Sequence, residues 1–396
     1  MRFGILTFQG SNNFGAILQA YALEKKIEEL GHECIIINYT SPKKEGWYKP
    51  LDFYISKGLK HNIKQVLKIP NFKFVKEKNS KTDRFKKEKM NIGSIHFLGK
   101  SDEFEEYLNI FDIIIVGSDQ VWNYRNTSFD KVYFLDFSNL KPKKVSYAAS
   151  FGMSVIPSNV KGEYRRLISG FESVSVRENS GKEIVGSLTG MNAEVTLDPT
   201  LLHNKQDWEN LLPIIKKRNH QEKYLLVYTI GRDNNINRLA NEISKKYNLT
   251  IIKIMNDFRD KYSISYEGIN PSVEEFLRLV NNAEFILTNS FHGVAFSINF
   301  NKNFFVYLNP NNLANTRIEN LLGIADLTDR ILGSENTFIN MDGINYDEVN
   351  RLIEQKREES CIYINKLISL KRLKKHEKKI LKQNRMKSPK VVYQKI

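Results

Sequence analysis

Cysteine is almost missing from this chain: there are two in 396 residues, Cys34 and Cys361. That excludes a disulfide framework and a cysteine-built metal cluster. No Asp-x-Asp pair occurs either. No metal is therefore expected, and the case for a nucleotide-sugar transferase that depends on a metal ion is weakened. No run reaches the roughly 18 to 20 apolar residues of a membrane span. The opening Met1-Arg2-Phe3-Gly4-Ile5-Leu6-Thr7-Phe8 turns polar too soon for a signal peptide. These absences lead us to expect a reduced, cytoplasmic setting. The dinucleotide fingerprint is missing as well. After the first predicted strand the glycines are Gly10 and Gly15, four residues between them, and the second strand ends in Asn38 instead of an acid. A nicotinamide cofactor is not expected, nor is any other cofactor.

What the chain does have is enough apolar material, 41%, for more than one core. Its length predicts about two domains. The formal charge of +15 is uneven: residues 371–396 hold eleven Lys or Arg against one acid, Glu377. A second basic stretch runs from Lys57 to Lys89. Such patches suit an anionic surface such as the inner face of the cell membrane, and they also suit an ordinary solvated lysine-rich face. Nucleic acid is not an expected partner.

Short apolar runs alternate with helical patterns. Residues 3–8 predict a strand, a polar turn from Gln9 to Gly15 follows, and a helix runs to about Leu30 with Gly31 as its stop. Residues 33–39 predict the next strand. Further strands are predicted at 112–116, 144–149, 173–178 and 193–197, then at 224–229, 249–254, 284–288 and 304–308. Ser272 with Glu275 predicts a capped helix between the runs at 249–254 and 284–288. Continuous apolar strands such as Asp112-Ile113-Ile114-Ile115-Val116 predict parallel sheets buried on both faces. The expected division is a first Rossmann-like domain over 1–205, with a basic insertion at about 41–100, a second domain over 206–345, and a helical basic extension over 346–396.

Five polar turns fall at predicted strand ends: Gln9 to Gly15, Gly117 to Asn123, Ser150 to Gly152, Arg177 to Ser180, and Asn289 to Gly293. In open α/β sheets such ends gather along one crevice. Asp119 can orient or deprotonate a sugar hydroxyl, or simply cap a helix; Trp122 can stack on a sugar ring or fill core. Arg177 can clamp an anion, or pair with Glu178 or Glu172. His292 stands at a predicted helix N-terminus, where an anion is favoured and a proton can be moved. Without further context it can equally be a structural histidine.

These turns, taken in order, resemble the polysaccharide pyruvyl transferase family. The segments are Asn12-Asn13-Phe14-Gly15, Gly117-Ser118-Asp119-Gln120-Val121-Trp122-Asn123, Ser146 to Gly152, Val176-Arg177-Glu178, Leu197-Asp198-Pro199-Thr200 and Thr288-Asn289-Ser290-Phe291-His292-Gly293. The resemblance covers roughly residues 1–345, less 41–100. It implies two Rossmann-like domains facing across a cleft, the arrangement called GT-B. It also implies transfer of a pyruvyl group from phosphoenolpyruvate to a sugar hydroxyl of a cell-surface polysaccharide or its precursor, forming a pyruvate ketal in exopolysaccharide, capsule or cell-wall synthesis. On that reading His292 is the acid, Arg177 the clamp and Asp119 a base, with Ser290 and Gly293 also on the donor. Asn12, Asn13, Gly15, Ser118, Asp119, Gln120 and Trp122 face a glycan or lipid-linked glycan acceptor. Some relatives carry an arginine where this chain has Ser290. Two alternatives stand beside this reading: a metal-independent glycosyltransferase of the same fold using a nucleotide-sugar donor, and a non-catalytic glycan-binding protein.

Overall fold

The computed structural model describes residues 1–42, 59–212, 223–231, 233–256, 258, 260, 266–309, 315–332 and 343–386, with side chains left out for 59–70 and 371–386. Residues 43–58 of the expected insertion and 387–396 of the basic tail lie outside the described residues, as do the side chains from 371 on that the membrane expectation rests on.

The first half runs β1 (Arg2–Leu6), α1 (Phe14–Glu29), β2 (Glu33–Ile36), β3 (Tyr39–Thr40), α2 (Leu59–Lys89), β4 (Phe97–Leu98), α3 (Asp102–Leu108), β5 (Ile113–Val116), α4 (Tyr124–Thr127), β6 (Lys143–Ser146), α5 (Ser158–Ile168), β7 (Ser175–Val176), α6 (Asn179–Thr189) and β8 (Glu194–Val195). The second half continues with α7 (Lys205–Glu209), β9 (Tyr224–Tyr228), α8 (Asn234–Tyr247), β10 (Thr250–Ile254), β11 (Glu267–Ile269), α9 (Val273–Asn282), β12 (Phe285–Thr288), α10 (Phe291–Asn299), β13 (Asn303–Tyr307), α11 (Thr316–Ile324), β14 (Ile331–Leu332) and α12 (Tyr346–Met386).

Two parallel sheets result, in the orders β2-β1-β5-β6 and β11-β10-β9-β12-β13-β14. The fold is α/β, with two Rossmann-like sheets and a C-terminal helix. Isolated bridges from Val145 to Ser173 and from Ala149 to Val176 extend the first sheet towards β7 and β8. Every residue of β5, β9 and β12 is buried, which is why these strands read as unbroken apolar runs. In each sheet the chain changes direction beside its first strand, between β1 and β5 and between β9 and β12. Loops that leave such a switch point on opposite sides open a crevice at the strands' C-terminal ends.

Local signals set the helices. Asn13 caps α1, its side chain accepting from the Gly15 and Ala16 N–H groups. Ser272 and Glu275 form the predicted capping box on α9. Helix α2, from the basic stretch, lies against the second half as well as the first: Lys81 donates to the Asn270 carbonyl at 2.6 Å and Asn79 accepts from Asn12 at 2.9 Å. Helix α12 returns from the second half to the first. Arg357 donates to the Leu201 carbonyl at 2.8 Å, and Tyr363 to that of Ser146 at 2.9 Å.

One buried acid makes the first half pH-sensitive. Glu24 of α1 has no exposed surface. Burial pushes its carboxyl up to about 7, against the pull of Lys25 and the Asn91 N–H. Because the folded value lies above the unfolded one, its stabilisation is complete below pH 4.5 and is lost as pH rises through about 7. Glu24→Gln is therefore expected to gain about 2 kcal/mol over the parent between pH 5 and pH 8. Urea midpoints at the two pH values measure it; a constant difference between the two proteins would contradict it.

Candidate functional site

The loops after β1, β5, β6 and β7 meet the loop after β12 and the start of α11 in the crevice. At the centre is Asp198, which follows β8 and has no exposed side-chain surface. Its Oδ2 lies 2.8 Å from Arg177 Nη2, accepts from Ser118 Oγ at 3.0 Å, and is 3.6 Å from His292 Nε2. Its Oδ1 accepts from the Thr200 N–H and hydroxyl at 3.0 and 2.7 Å. Burial alone would raise the carboxyl, but Arg177, His292 and Thr200 outweigh it and hold Asp198 below the usual carboxylate range.

Arg177 is 3% exposed. Nη2 also donates to Ser118 Oγ, while Nε and Nη1 are buried with no hydrogen-bond partner among the described residues. Its guanidinium lies 4.7 Å from the centroid of the Phe291 ring. A second guanidinium, that of Arg317 in α11, lies 5.9 Å from the same ring. Arg317 Nη1 is 3.9 Å from Asp119 Oδ1, and its Nε is buried without a partner. With its amide oxygen turned to the arginine, Gln120 accepts from Arg317 Nη2 at 2.6 Å and Nη1 at 3.2 Å. Burial, and then the charge of Arg177, draw the Arg317 guanidinium below its ordinary value. One turn on, Asn320 donates to the Arg177 carbonyl at 3.3 Å and accepts from the Asn179 N–H at 3.3 Å, so α11 is fixed against the first half.

His292 opens α10, which starts at Phe291 behind the N-cap Ser290. The residue is 6% exposed, and its Nε2 has no hydrogen-bond partner among the described residues. It packs on Gly15: a Cβ added there would sit 2.0 Å from His292 Nδ1. Gly293 has an equally local reason. A Cβ at that position would sit 2.2 Å from Thr288 Oγ1, the hydroxyl that accepts from the Ser290 N–H.

The crevice thus gathers Arg177, His292, Ser118, Asp119, Gln120 and Gly15 from the predicted set. Asp119 takes a left-handed backbone, φ 75, and its side chain, 17% exposed, opens to the crevice. Other predicted residues have different work. Trp122 is fully buried, stacked on Phe134 and donating to the Tyr133 carbonyl at 3.0 Å; it is core and cannot touch an acceptor. Asn13 caps α1 and Asn12 binds Asn79. Ser290 Oγ accepts from the Gly293 N–H. The alternative reading of Arg177 paired it with Glu178 or Glu172; the structure pairs it with Asp198 instead. Glu178 turns away to accept from Ser150 and the Phe151 and Gly152 N–H groups, and Glu172 binds Lys143. Asp198 and Arg317 carried no predicted role. Asp198 ends a strand before Pro199, the same signal that marked the other turns; Arg317 follows no motif. Among the described residues no three or more His, Cys, Asp or Glu stand together to hold a metal ion, and no helix is long and apolar enough to cross a membrane.

The sequence model of the family described as polysaccharide pyruvyl transferase matches residues 13–311. No curated protein matches the chain. Similar solved structures include the UDP-GlcNAc 2-epimerase from Methanocaldococcus jannaschii, 16% identical over 89% of this chain and 92% of that one, with a TM-score of 0.49. The UDP-GlcNAc 2-epimerase from Neisseria meningitidis bound to UDP-GlcNAc is 14% identical over 93% and 100%, TM-score 0.48. E. coli heptosyltransferase WaaC with ADP is 9% identical over 91% and 100%, TM-score 0.37. The geometry of the site corrects the expected reaction: phosphoenolpyruvate as donor substrate and pyruvate-ketal formation are withdrawn for this chain. Arg177, expected to clamp that small anion by itself, has Nη2 taken by Asp198 and Ser118 and shares the Phe291 ring with Arg317. Asp198 and Glu178 are fully buried among these cations, and Asp119, 17% exposed, is the carboxylate that can meet a ligand hydroxyl; phosphoenolpyruvate has none.

Proposed function

We propose, for a chain that belongs to the polysaccharide pyruvyl transferase family, that the crevice binds a nucleotide-activated sugar and transfers the sugar to an acceptor hydroxyl. The observation that carries this reading is the set of unmatched buried donors around Phe291: Nε and Nη1 of Arg177 and Nε of Arg317. A buried charged N–H without an acceptor is costly, and two guanidiniums so placed suit the oxygens of a diphosphate. His292 at the start of α10 adds a third group to the same anion. The crevice between switch points gives the nucleotide its place.

In this scheme the acceptor oxygen attacks the anomeric carbon and the bond from that carbon to the diphosphate breaks. Asp119 takes the hydroxyl proton. Arg177, Arg317 and His292 stabilise the charge that gathers on the leaving diphosphate. Asp198 positions Arg177 and His292. The division into an acceptor side over 1–205 and a donor side over 206–345, with 346–396 as an extension, belongs to the same proposal. Arg177 then reaches the donor from the acceptor side. A glycan or lipid-linked glycan is the proposed acceptor.

The test is a panel of UDP-, GDP- and ADP-sugars incubated with the full-length protein and glycan acceptors. Release of nucleoside diphosphate is expected, falling about 10²-fold or more in Arg317→Ala. Turnover of phosphoenolpyruvate with no sugar nucleotide consumed would overturn the proposal.

A further inference from the structure

Helix α2 carries a cation that the proposed transfer does not use. The Lys78 ammonium lies 5.1 Å from the centroid of the Phe14 ring. Phe14 opens α1 and stacks on Phe276 of α9 at 4.8 Å, and the next residue, Gly15, touches His292. Lys78 therefore stands over the same crevice as the arginine pair, beyond the contact of Gly15 with His292. It is held in place from both flanks. Asn79 beside it binds Asn12 of the loop after β1, and Lys81 one turn on binds the Asn270 carbonyl ahead of α9.

Two other lysines of the helix are matched with acids, Lys81 with Glu77 and Lys86 with Asp83. Lys78 makes no ion pair among the described residues. It is half-buried, and burial pushes its ammonium down to about 8. An ammonium withdrawn from water and facing only an aromatic ring lacks the counter-charge that would offset its desolvation. A fixed, unmatched cation over a substrate crevice is a binding group for an anion.

The geometry points to a second anion subsite at Lys78, taking a phosphate of the acceptor, across the contact of Gly15 with His292 from the donor diphosphate. The acceptor class is then a phosphate-bearing glycan, either a soluble sugar phosphate or a lipid-linked pyrophosphate. This inference rests on the nucleotide-sugar reading for the assignment of the two ends, but not for the existence of the subsite.

Calorimetric titration of the full-length protein with inorganic pyrophosphate, in the presence of saturating UDP, tests it. The parent is expected to bind pyrophosphate with UDP in place. Lys78→Met should weaken that binding at least 10-fold and Lys78→Arg should restore most of it, while UDP affinity stays within about 2-fold. Lys78→Gln serves in place of Lys78→Met should the latter not fold. Unchanged pyrophosphate binding in both would overturn the subsite, and so would a loss confined to UDP. If UDP does not bind the parent, the nucleotide reading fails by itself. The pyrophosphate titration in Arg177→Ala then still decides on Lys78. Separate arms with a hexose 1-phosphate and with a prenyl pyrophosphate in neutral vesicles identify the source: the arm whose binding needs Lys78 names it. Dependence in neither arm contradicts the inference.

Discussion

An Asp198→Ala variant is expected to lose about 3–5 kcal/mol of folding stability and to be inactive. The carboxylate is the only charge 2.8 Å from Arg177 among the described contacts, and Arg177 is itself 3% exposed. Its removal leaves a guanidinium buried without a counter-charge, and it also strips the Thr200 N–H and hydroxyl of their acceptor. The pair as a whole is a different matter, since two buried charges replaced together by apolar groups can be nearly neutral. Asp198→Ala with Arg177→Met is therefore expected to recover much of the stability while staying inactive. Urea unfolding of the parent, the two single variants and the double variant measures the coupling directly. If the single and double variants unfold alike, the buried pair is not what holds this end of the crevice.

Gly15→Ala is expected to lower turnover at least about 10²-fold and to destabilise the protein by about 1–3 kcal/mol. The added Cβ would sit 2.0 Å from His292 Nδ1, 2.3 Å from Cγ and 2.7 Å from Cε1. No rotation of a methyl-sized group avoids that, so either the imidazole moves or α1 and α10 separate. The direction is informative because Gly15 lies inside α1, where alanine would otherwise favour the helix by about 1 kcal/mol. Adding His292→Ala to Gly15→Ala makes room again. The double variant is expected to regain stability without regaining turnover. Recovery of both would show that His292 has no part in the chemistry.

The alternation of elements was legible because the central strands are buried on both faces and their apolar runs are unbroken, as in Ile113–Val116 and Phe285–Thr288. The helix ends were legible where side chains cap them, at Asn13 and Ser272. The site was legible only as far as strand ends announce themselves. His292, Asp119 and Arg177 each follow an apolar run, and they do meet. Arg317 does not follow one; it reaches the crevice from the first turn of α11, 140 positions from Arg177, and only the packing of the two sheets brings it to Phe291. Trp122 misleads for the converse reason. It sits in a polar turn, yet its ring is closed over by Phe134, Phe151 and Phe171 from distant segments. Lys78 shows the same limit, since one lysine among many stands apart only once packing has set it against the Phe14 ring.

The central claim is that Arg177, Arg317 and His292 hold the diphosphate of a nucleotide-activated sugar. It is tested most directly by calorimetric titration of the full-length protein with UDP, GDP and ADP, repeated in Arg317→Ala. The account predicts saturable one-to-one binding of at least one of them, weakened 10-fold or more by the substitution, about 1.4 kcal/mol. No binding of any nucleoside diphosphate, or binding that Arg317→Ala leaves unchanged, would contradict it.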